Sequence, residues 1–298
     1  MLLVAGVVSG QAFEAVSIRP SPRTTGTISA PTLISGGPGS ADPERLTISH
    51  FNVQSLIVRA YGVRNFQISG LDKIPLTGVF EMPWIEVDPF DIVAKVPPGA
   101  TKEQIPLMLQ KMLAERFGLK VHFEKKDAPI YKLVVTKAGA MSKGLVVSST
   151  IPDPADSEPP KPFTLPPGGA PLYTKDQNGF PIIPKGSIIT RAGGDHVREV
   201  WHKETMEKLA AELSDFRAIQ RAVRDATGLK DEHDFTMYWT QENIVYKNGV
   251  RVPPPAEPVG GPSIFEALEK QLGLKLEPSK GPVDFLVIDH IDRTPSEN

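Results

Sequence analysis

The chain has 298 residues, a hydrophobic fraction of 40%, a charged fraction of 23% and a formal net charge of −2. This length is sufficient for two domains with separate cores, and the composition is typical of soluble globular proteins. Because the charge is balanced and no basic stripe occurs, we expect no nucleic-acid partner. The chain contains no cysteine, which excludes disulfides, thiolate catalysis and cysteine-based zinc sites.

The first segment of the chain predicts export. Residues 1–8 are apolar and are followed by small residues up to Ala12, which is the pattern of a secretory signal peptide cleaved after Ala12. The apolar run is short and lacks the usual basic start, so a buried N-terminal strand is the alternative. No other segment is apolar enough to span a bilayer, so we expect a periplasmic or extracellular protein with no membrane span in its mature chain.

A first α+β module follows this segment. Asn52 is placed to cap one helix, and the capping-box pair Thr101 and Gln104 opens a longer helix that ends at Gly118. The predicted strands alternate apolar and polar residues, and the last two form a hairpin. These strands cover residues 13–21, 46–49, 66–69, 90–96, 119–124 and 130–136.

A second α+β module begins after a proline-rich and glycine-rich stretch. Thr205 is placed to cap its first helix, and Ser263 with Glu266 forms the capping box of a helix that ends at Gly273. The predicted strands again end in a hairpin. They cover residues 197–201, 222–225, 234–239, 274–277 and 283–289.

The two modules share a sequence repeat. Residues 113–121 read LAERFGLKV, and residues 268–276 read LEKQLGLKL; each is followed by a polar turn, a proline and an apolar run. We therefore predict an internal duplication of an α+β module, a short mixed sheet packed by two helices. The predicted organisation is a truncated signal peptide (1–12), a first module (13–138), a linker (139–192), a second module (193–293) and a polar tail (294–298).

No segment completes a known catalytic or cofactor-binding motif. The sequence contains no nucleophile elbow, no phosphate-binding loop and no dinucleotide fingerprint, and the glycine-rich residues 36–39 precede no helix. Residues 225–228 differ from an aspartic protease loop because an alanine intervenes, so they predict a turn. Tyr238 and Trp239 lie at a strand end, where they either line a groove or pack in the core.

The histidines lack the spacing of a metal site. No two of them are four residues apart, and the sequence has no His-Glu-x-x-His motif. Tertiary structure would have to bring Asp195–His196 to His202, or join Asp289 with His290, so a surface or hairpin position is our interpretation for each histidine. We expect no cofactor and assign no catalytic, cofactor-binding or metal-ligating residue. The six histidines are His50, His122, His196, His202, His233 and His290.

Several segments carry a resemblance to a known family. They read FEAVSIRPS, FNVQSLIVRAYGVRNFQISG, FDIVAKVP, LMLQKMLAERFGLKVHFEKKDAPIYKLVV, HDFTMYW and PSIFEALEKQLGLKLEPSKGPVDFLVIDHIDRTPSEN. Together they resemble a soil-associated bacterial protein family of unknown function that is expanded in acidobacteria-like organisms. The resemblance covers residues 13–298 and departs from the family pattern at residues 215–221. It implies an exported protein whose domain also occurs fused to membrane metallopeptidases of the beta-lactam-sensor type.

The order of elements is also similar to the short N-terminal domain of secretins and TonB-dependent receptors, which implies a protein-interaction module. Three functional hypotheses follow from these observations. The first is a non-catalytic exported module that binds an envelope protein, a peptide or a small ligand. The second is a hydrolase with its site at the module interface. The third is a sensor domain that acts with a membrane peptidase.

Overall fold

The computed structural model describes residues 12–22, 32–77, 82–136, 144–148, 174–183, 191–216, 218–241, 245–247, 250–252 and 260–297. The chain divides into two compact units: unit 1 contains residues 1–126 and 282–298, and unit 2 contains residues 127–281. Helices and strands occur in both units, so the predicted α+β class is confirmed. Residues 1–11 of the predicted signal peptide (1–12) and most of the predicted linker lie outside the described residues.

Unit 1 is built on an antiparallel sheet whose strand order is β1-β5-β3-β2. Helices α1 and α3 bury their apolar faces in the same core as this sheet. In chain order the elements are β1 (Ala15–Pro20), β2 (Leu33–Gly36), β3 (Arg45–Asn52), α1 (Val53–Tyr61), β4 (Ile68–Ser69), α2 (Trp84–Val87), β5 (Pro89–Lys95), α3 (Ile105–Arg116) and β6 (Lys120–Val135).

The two long helices of unit 1 begin where the sequence predicts. The Asn52 side chain accepts a hydrogen bond from the Ser55 N–H at 2.8 Å, and Gly62 ends α1 in the left-handed conformation. The Thr101 N–H donates to the Gln104 side chain at 2.8 Å, which closes the predicted capping box one turn before α3. Local polar contacts therefore set where each helix starts, and apolar burial holds it on the sheet.

Unit 2 has an antiparallel sheet with the order β7-β11-β9-β8. Its last helix widens into a five-residue π-helix before Gly273. The elements are β7 (Val146–Val147), β8 (Arg191–Ala192), β9 (His196–Glu204), α4 (Met206–Leu213), β10 (Val223–Asp225), β11 (His233–Thr240), β12 (Val245–Lys247), β13 (Val250–Val252), α5 (Ile264–Ala267), the π-helix (Leu268–Leu272) and β14 (Leu274–His290).

Both antiparallel sheets contain the same bulge. It follows β3 residue Ile48 in unit 1, where His50 has a φ of 59° and donates its N–H to the Asp91 carboxylate at 2.9 Å. In unit 2, Lys203 has a φ of 50° and donates its N–H to the Asp234 carboxylate at 2.8 Å. Each aspartate lies on the neighbouring strand. Its carboxylate therefore accepts the hydrogen bond of a backbone N–H that the bulge turns away from the other strand's carbonyl groups.

The two predicted hairpins are wrong. Residues 125–129 and 278–282 contain polar residues and a proline, which predicted a turn, but they lie within the continuous strands β6 and β14. Each strand begins in one unit and ends in the other, so the chain has no need to reverse there. Polar residues and a proline are also compatible with an extended, exposed strand, and the local sequence does not distinguish the two.

The long strands also change the division of the chain. A third sheet has the order β10-β6-β14-β4. In unit 1, β4 pairs in parallel with the last part of β14, at Leu286 and Val287. In unit 2, β10 pairs in parallel with the last part of β6, at residues 131–133. The compact units therefore differ from the module boundaries 13–138 and 193–293, because each contains a strand segment from the other half of the sequence.

The C-terminal residues pack on unit 1. The Ser296 N–H donates to the Arg116 carbonyl at 2.8 Å, at the end of α3. The predicted polar tail is thus bound by hydrogen bonds at this position. None of the helices in the described ranges is long and apolar enough to cross a membrane.

Replacing Leu113 by alanine should lower the free energy of unfolding by about 2–5 kcal/mol, because its side chain is fully buried in α3 and the change leaves a cavity. Leu107 on the same helix is 39% exposed and is the matched control. Leu107→Ala should cost less than about 1 kcal/mol. Urea melts of both variants test this expectation, and equal losses would mean that the buried face of α3 is assigned wrongly.

Candidate functional site

A cavity of about 340 Å³ opens in unit 2 beside its antiparallel sheet. It joins an aromatic wall to a polar rim, with the turn after α4 on one side and the start of α5 on the other. We call it the aromatic cavity. Its lining residues are Arg191, Asp215, Phe216, Ala218, Trp239, Thr240, Gln241 and Ile264.

Strand pairing joins Arg191, which lines the cavity, to an acidic residue outside the lining. Arg191 in β8 lies opposite Glu199 in β9, and its Nη1 donates to the Glu199 carboxylate at 2.9 Å. Glu199 lies two residues before the buried Trp201 on β9, so both side chains point to the face that α4 covers. There the Trp201 indole N–H donates to the Glu212 carboxylate at 2.8 Å.

The wall of the cavity is the end of a row of aromatic rings. Trp201 stacks on Phe235 with centroids 4.9 Å apart, and its ring lies 6.4 Å from that of Trp239. Trp239 in turn lies 5.4 Å from Phe216. The Arg191 guanidinium carbon is 5.1 Å from the Trp239 centroid and 5.5 Å from the Phe216 centroid, which is cation–π geometry with both rings.

Partial burial raises the pKa of two glutamates on β9. Burial raises the pKa of Glu199, the Arg191 guanidinium opposes this, and the nearby Glu212 carboxylate adds to it. Burial likewise raises the pKa of Glu204, again with a contribution from Glu212. The ion pair with Arg191 therefore offsets only part of the rise that burial causes in the pKa of Glu199.

The rim offers both hydrogen-bond donors and acceptors. Arg191 contributes donors, Asp215 contributes acceptors, and Thr240 and Gln241 contribute both. Together with the aromatic wall, this arrangement suits a ligand that has an apolar face and several polar substituents. Within the described ranges, no three histidine, aspartate or glutamate side chains are placed to hold a metal ion.

The two aromatic residues at the end of β11 have different roles. Trp239 is 3% exposed, so it packs in the core and also forms the cavity wall; both interpretations of this residue therefore hold. Tyr238 points to the other face of the sheet. There its ring lies 4.8 Å from that of Phe180 and 5.4 Å from the Arg198 guanidinium carbon.

The predicted turn at residues 225–228 is confirmed. The Asp225 carboxylate accepts hydrogen bonds from the Thr227 N–H at 2.9 Å and the Thr227 hydroxyl at 2.7 Å. Gly228 has a φ of 76°, which a residue with a side chain adopts rarely. Asp225 therefore stabilises the turn after β10.

Most histidines make local polar contacts. His122 pairs with Asp289 at 2.8 Å and His290 with Asp292 at 3.1 Å, so Asp289 does not pair with the neighbouring His290 as suggested. His202 lies 3.8 Å from Asp234. His196 contacts the Gly260 carbonyl at 3.1 Å, and the Asp195 carbonyl accepts from the Gln241 N–H.

The surface interpretation is wrong for His233. This side chain is 1% exposed because it occupies an inward position at the start of β11. Its Nδ1 has no hydrogen-bond partner within the part of the chain that the structure describes. The alternating pattern of the strand was visible in the sequence, but its start was predicted one residue too late.

Sequence reasoning missed Arg191, Phe216 and Glu199. The signal for Phe216 was the departure from the family pattern at residues 215–221, because that segment supplies Asp215, Phe216 and Ala218 to the cavity. Arg191 and Glu199 carry no local signal, since only the pairing of β8 with β9 brings them together.

Comparisons with known proteins identify a family. A family model described as a protein of unknown function (DUF3738) matches residues 54–291, which include every residue that lines the aromatic cavity. No curated protein and no solved structure matches the chain.

Glu199→Gln should change how stability depends on pH. Because the pKa of Glu199 is raised on folding, the folded state holds this proton more tightly than the unfolded state. The free energy of unfolding therefore falls as the pH rises above the ordinary glutamate value of 4.5, and the glutamine variant should lose this component. Urea midpoints between about pH 4 and about pH 7 measure the effect.

Glu266 provides a control of opposite sign. The Ser263 backbone N–H and the Lys270 ammonium lower the pKa of Glu266, so its contribution is lost as the pH falls. Glu266→Gln should therefore flatten the acid side of the profile. An unchanged pH slope in Glu199→Gln would contradict the assignment of Glu199 as a carboxyl group with a raised pKa.

Proposed function

Since the chain belongs to DUF3738, a family of unknown function, we propose a role from its own geometry: an exported, non-catalytic binding protein whose aromatic cavity takes a neutral, hydroxyl-bearing ring compound such as a saccharide. The observation that carries this proposal is the combination of an aromatic wall with a rim of mixed donors and acceptors. A hydroxyl group both donates and accepts, so a ring with several hydroxyls matches such a rim without a charge of its own.

Charge supports a neutral ligand. Arg191 is the cation at the rim, and it is already paired with Glu199 while Asp215 adds a second carboxyl group. An anionic ligand would meet these carboxylates, and the position of a cationic ligand over the rings is taken by the Arg191 guanidinium. The half-buried ring of Phe216 leaves an apolar surface for the C–H groups of a sugar ring.

We further propose that the two units are copies of one module. Their sheets have matching strand orders, β1-β5-β3-β2 and β7-β11-β9-β8, and matching bulges at His50 and Lys203. The helix that follows the bulge is capped by Asn52 in unit 1 and by Thr205 in unit 2, two residues after the bulge in each. Such agreement is expected of a duplication that kept its framework and changed its side chains.

Export is supported by the sequence. The apolar residues 1–8 and the small residues up to Ala12 favour a signal peptide, and the resemblance to exported proteins agrees with it. In this proposal the protein works in the periplasm or outside the cell, with an envelope protein, peptide or glycan as partner. The soil association, the hydrolase alternative and a sensor role beside a membrane peptidase remain predictions.

Saccharide binding should quench or shift tryptophan fluorescence, because Trp239 lies in the cavity wall. Glucose, N-acetylglucosamine and their β-linked disaccharides are suitable probes. Asp215→Ala and Gln241→Ala should each weaken binding about tenfold, which is the loss of one hydrogen bond to a ligand hydroxyl in a partly buried site. Calorimetry gives the affinities, and urea melts verify that the variants remain folded.

Asp231→Ala is the matched control, since Asp231 is an exposed aspartate that does not line the cavity. This variant should bind as the parent chain does. Equal binding by Asp215→Ala, Gln241→Ala and the parent would contradict the proposed site. A chemical turnover that is abolished by Asp215→Asn would favour the hydrolase over the binding protein.

Expression of the precursor in a Gram-negative host should yield a chain that begins at Phe13 in the periplasm or medium. N-terminal sequencing identifies the new end. Ala12→Arg should block cleavage, because signal peptidase requires a small residue at that position. An intact Met1 on cytoplasmic protein would refute export.

A further inference from the structure

Unit 1 has its own cavity, of about 460 Å³, between its antiparallel sheet and the start of α3. We infer that this cavity binds an anionic amphiphile: a single medium-length acyl chain that ends in a carboxylate. Aliphatic side chains form its walls, and the basic residues Arg59 and Lys102 lie at its edge. We call it the aliphatic cavity.

The two cavities occupy matching positions in the two units. Gly36 pairs with Leu46 in unit 1, as Arg191 pairs with Glu199 in unit 2. Leu46 precedes the bulge residue His50 by four positions, and Glu199 precedes Lys203 by four. A recess at this place therefore belongs to the framework of both units.

At the matching positions, unit 1 has apolar or basic residues where unit 2 has an ion pair or an acidic residue. The ion pair of Arg191 with Glu199 corresponds to Gly36 and Leu46, so a charged pair in unit 2 is replaced by an apolar surface in unit 1. Arg59 lies nine residues after its bulge residue, the same distance as Glu212 in unit 2. An acid beside the aromatic cavity is thus replaced by a base beside the aliphatic one.

The walls suit a hydrocarbon chain. Ile48 and Leu109 are each 1% exposed, and Leu46 is 5% exposed. Ile34 and Ile105 are half-buried and extend this surface towards solvent. Contact with such walls removes apolar surface of a ligand from water, which is the main driving force for binding an acyl chain.

The edge of the cavity suits an anion. No acidic residue lines it, and neither Arg59 nor Lys102 forms an ion pair with any residue of the described ranges. The Lys102 side chain passes close to Gly39: a Cβ there would lie 2.5 Å from the lysine Cε, and Gly39 has a φ of 80°. The glycine-rich turn thus leaves room for the lysine stem, whose ammonium group stays in water.

A carboxylate is the head group that fits these two cations. Its two oxygens can accept hydrogen bonds from a guanidinium or an ammonium group, and charge-assisted hydrogen bonds of this kind are the strong ones. A cationic head group would be repelled by both side chains, and an uncharged alcohol would gain one ordinary hydrogen bond. The site therefore discriminates among ligands that share one hydrocarbon chain.

Calorimetry of the full chain with decanoate tests the inference. Decanoate should bind with one site, and decanol and decyltrimethylammonium, which carry a similar chain, should bind at least about tenfold more weakly. Shortening the chain to octanoate and hexanoate should weaken binding by up to about fourfold per methylene. Equal affinity for the cationic amphiphile would overturn the inference.

Variants locate the site. Arg59→Glu combined with Lys102→Glu should weaken decanoate binding by more than about tenfold, and Arg59→Gln with Lys102→Gln should weaken it less. The matched control is Lys73→Glu with Lys120→Glu, two exposed lysines of unit 1 away from the cavity, which should leave the affinity unchanged.

These outcomes are independent of the saccharide test, since Asp215→Ala should bind decanoate as the parent chain does. Decanoate binding that is the same in the parent and in both Arg59/Lys102 double variants would overturn the inference, as would no measurable binding. Urea melts show whether a variant that fails to bind is still folded. If the double glutamate variant does not fold, decanoate binding is measured with the double glutamine variant instead.

Discussion

The exchange of long strands is the constraint on which both units depend. The core of unit 1 contains Leu286 and Ile288 from β14, and the core of unit 2 contains Leu133 from β6. Neither unit is therefore complete with the residues of its own half of the sequence. Closing loops over such sequence separations costs conformational entropy that local structure does not recover. The helices alone would be only marginally stable, so the pairing and packing of the long strands determine the fold.

The two units have antiparallel sheets of matching strand order, but different side chains line the cavities beside these sheets. The bulge and its carboxylate are kept in both, because an unsatisfied backbone amide is costly wherever the sheet bends. The recess beside the sheet is also kept, but its lining is aromatic and charged in unit 2 and aliphatic in unit 1. The ligands proposed for the two cavities differ accordingly.

The Arg191–Glu199 pair links a half-buried carboxyl group to the wall of the aromatic cavity. Burial raises the pKa of Glu199, so this carboxylate depends on the Arg191 guanidinium for its charge to be tolerated. The same guanidinium lies against the rings of Trp239 and Phe216. One side chain thus pairs with a half-buried acid and contacts the wall of the cavity, so a change in Glu199 should alter that wall.

The sequence by itself determined the α+β class, the helix starts at Asn52 and Thr205, and the turn at Asp225, because caps and turns depend on residues a few positions apart. Tertiary structure decided that residues 120–135 and 274–290 are continuous strands, since a proline and polar residues fit a turn and an exposed strand equally well. It also decided both cavities. Arg191 meets Glu199, and Arg59 and Lys102 line the same cavity, only because pairing and packing join distant segments, and no local pattern encodes that arrangement.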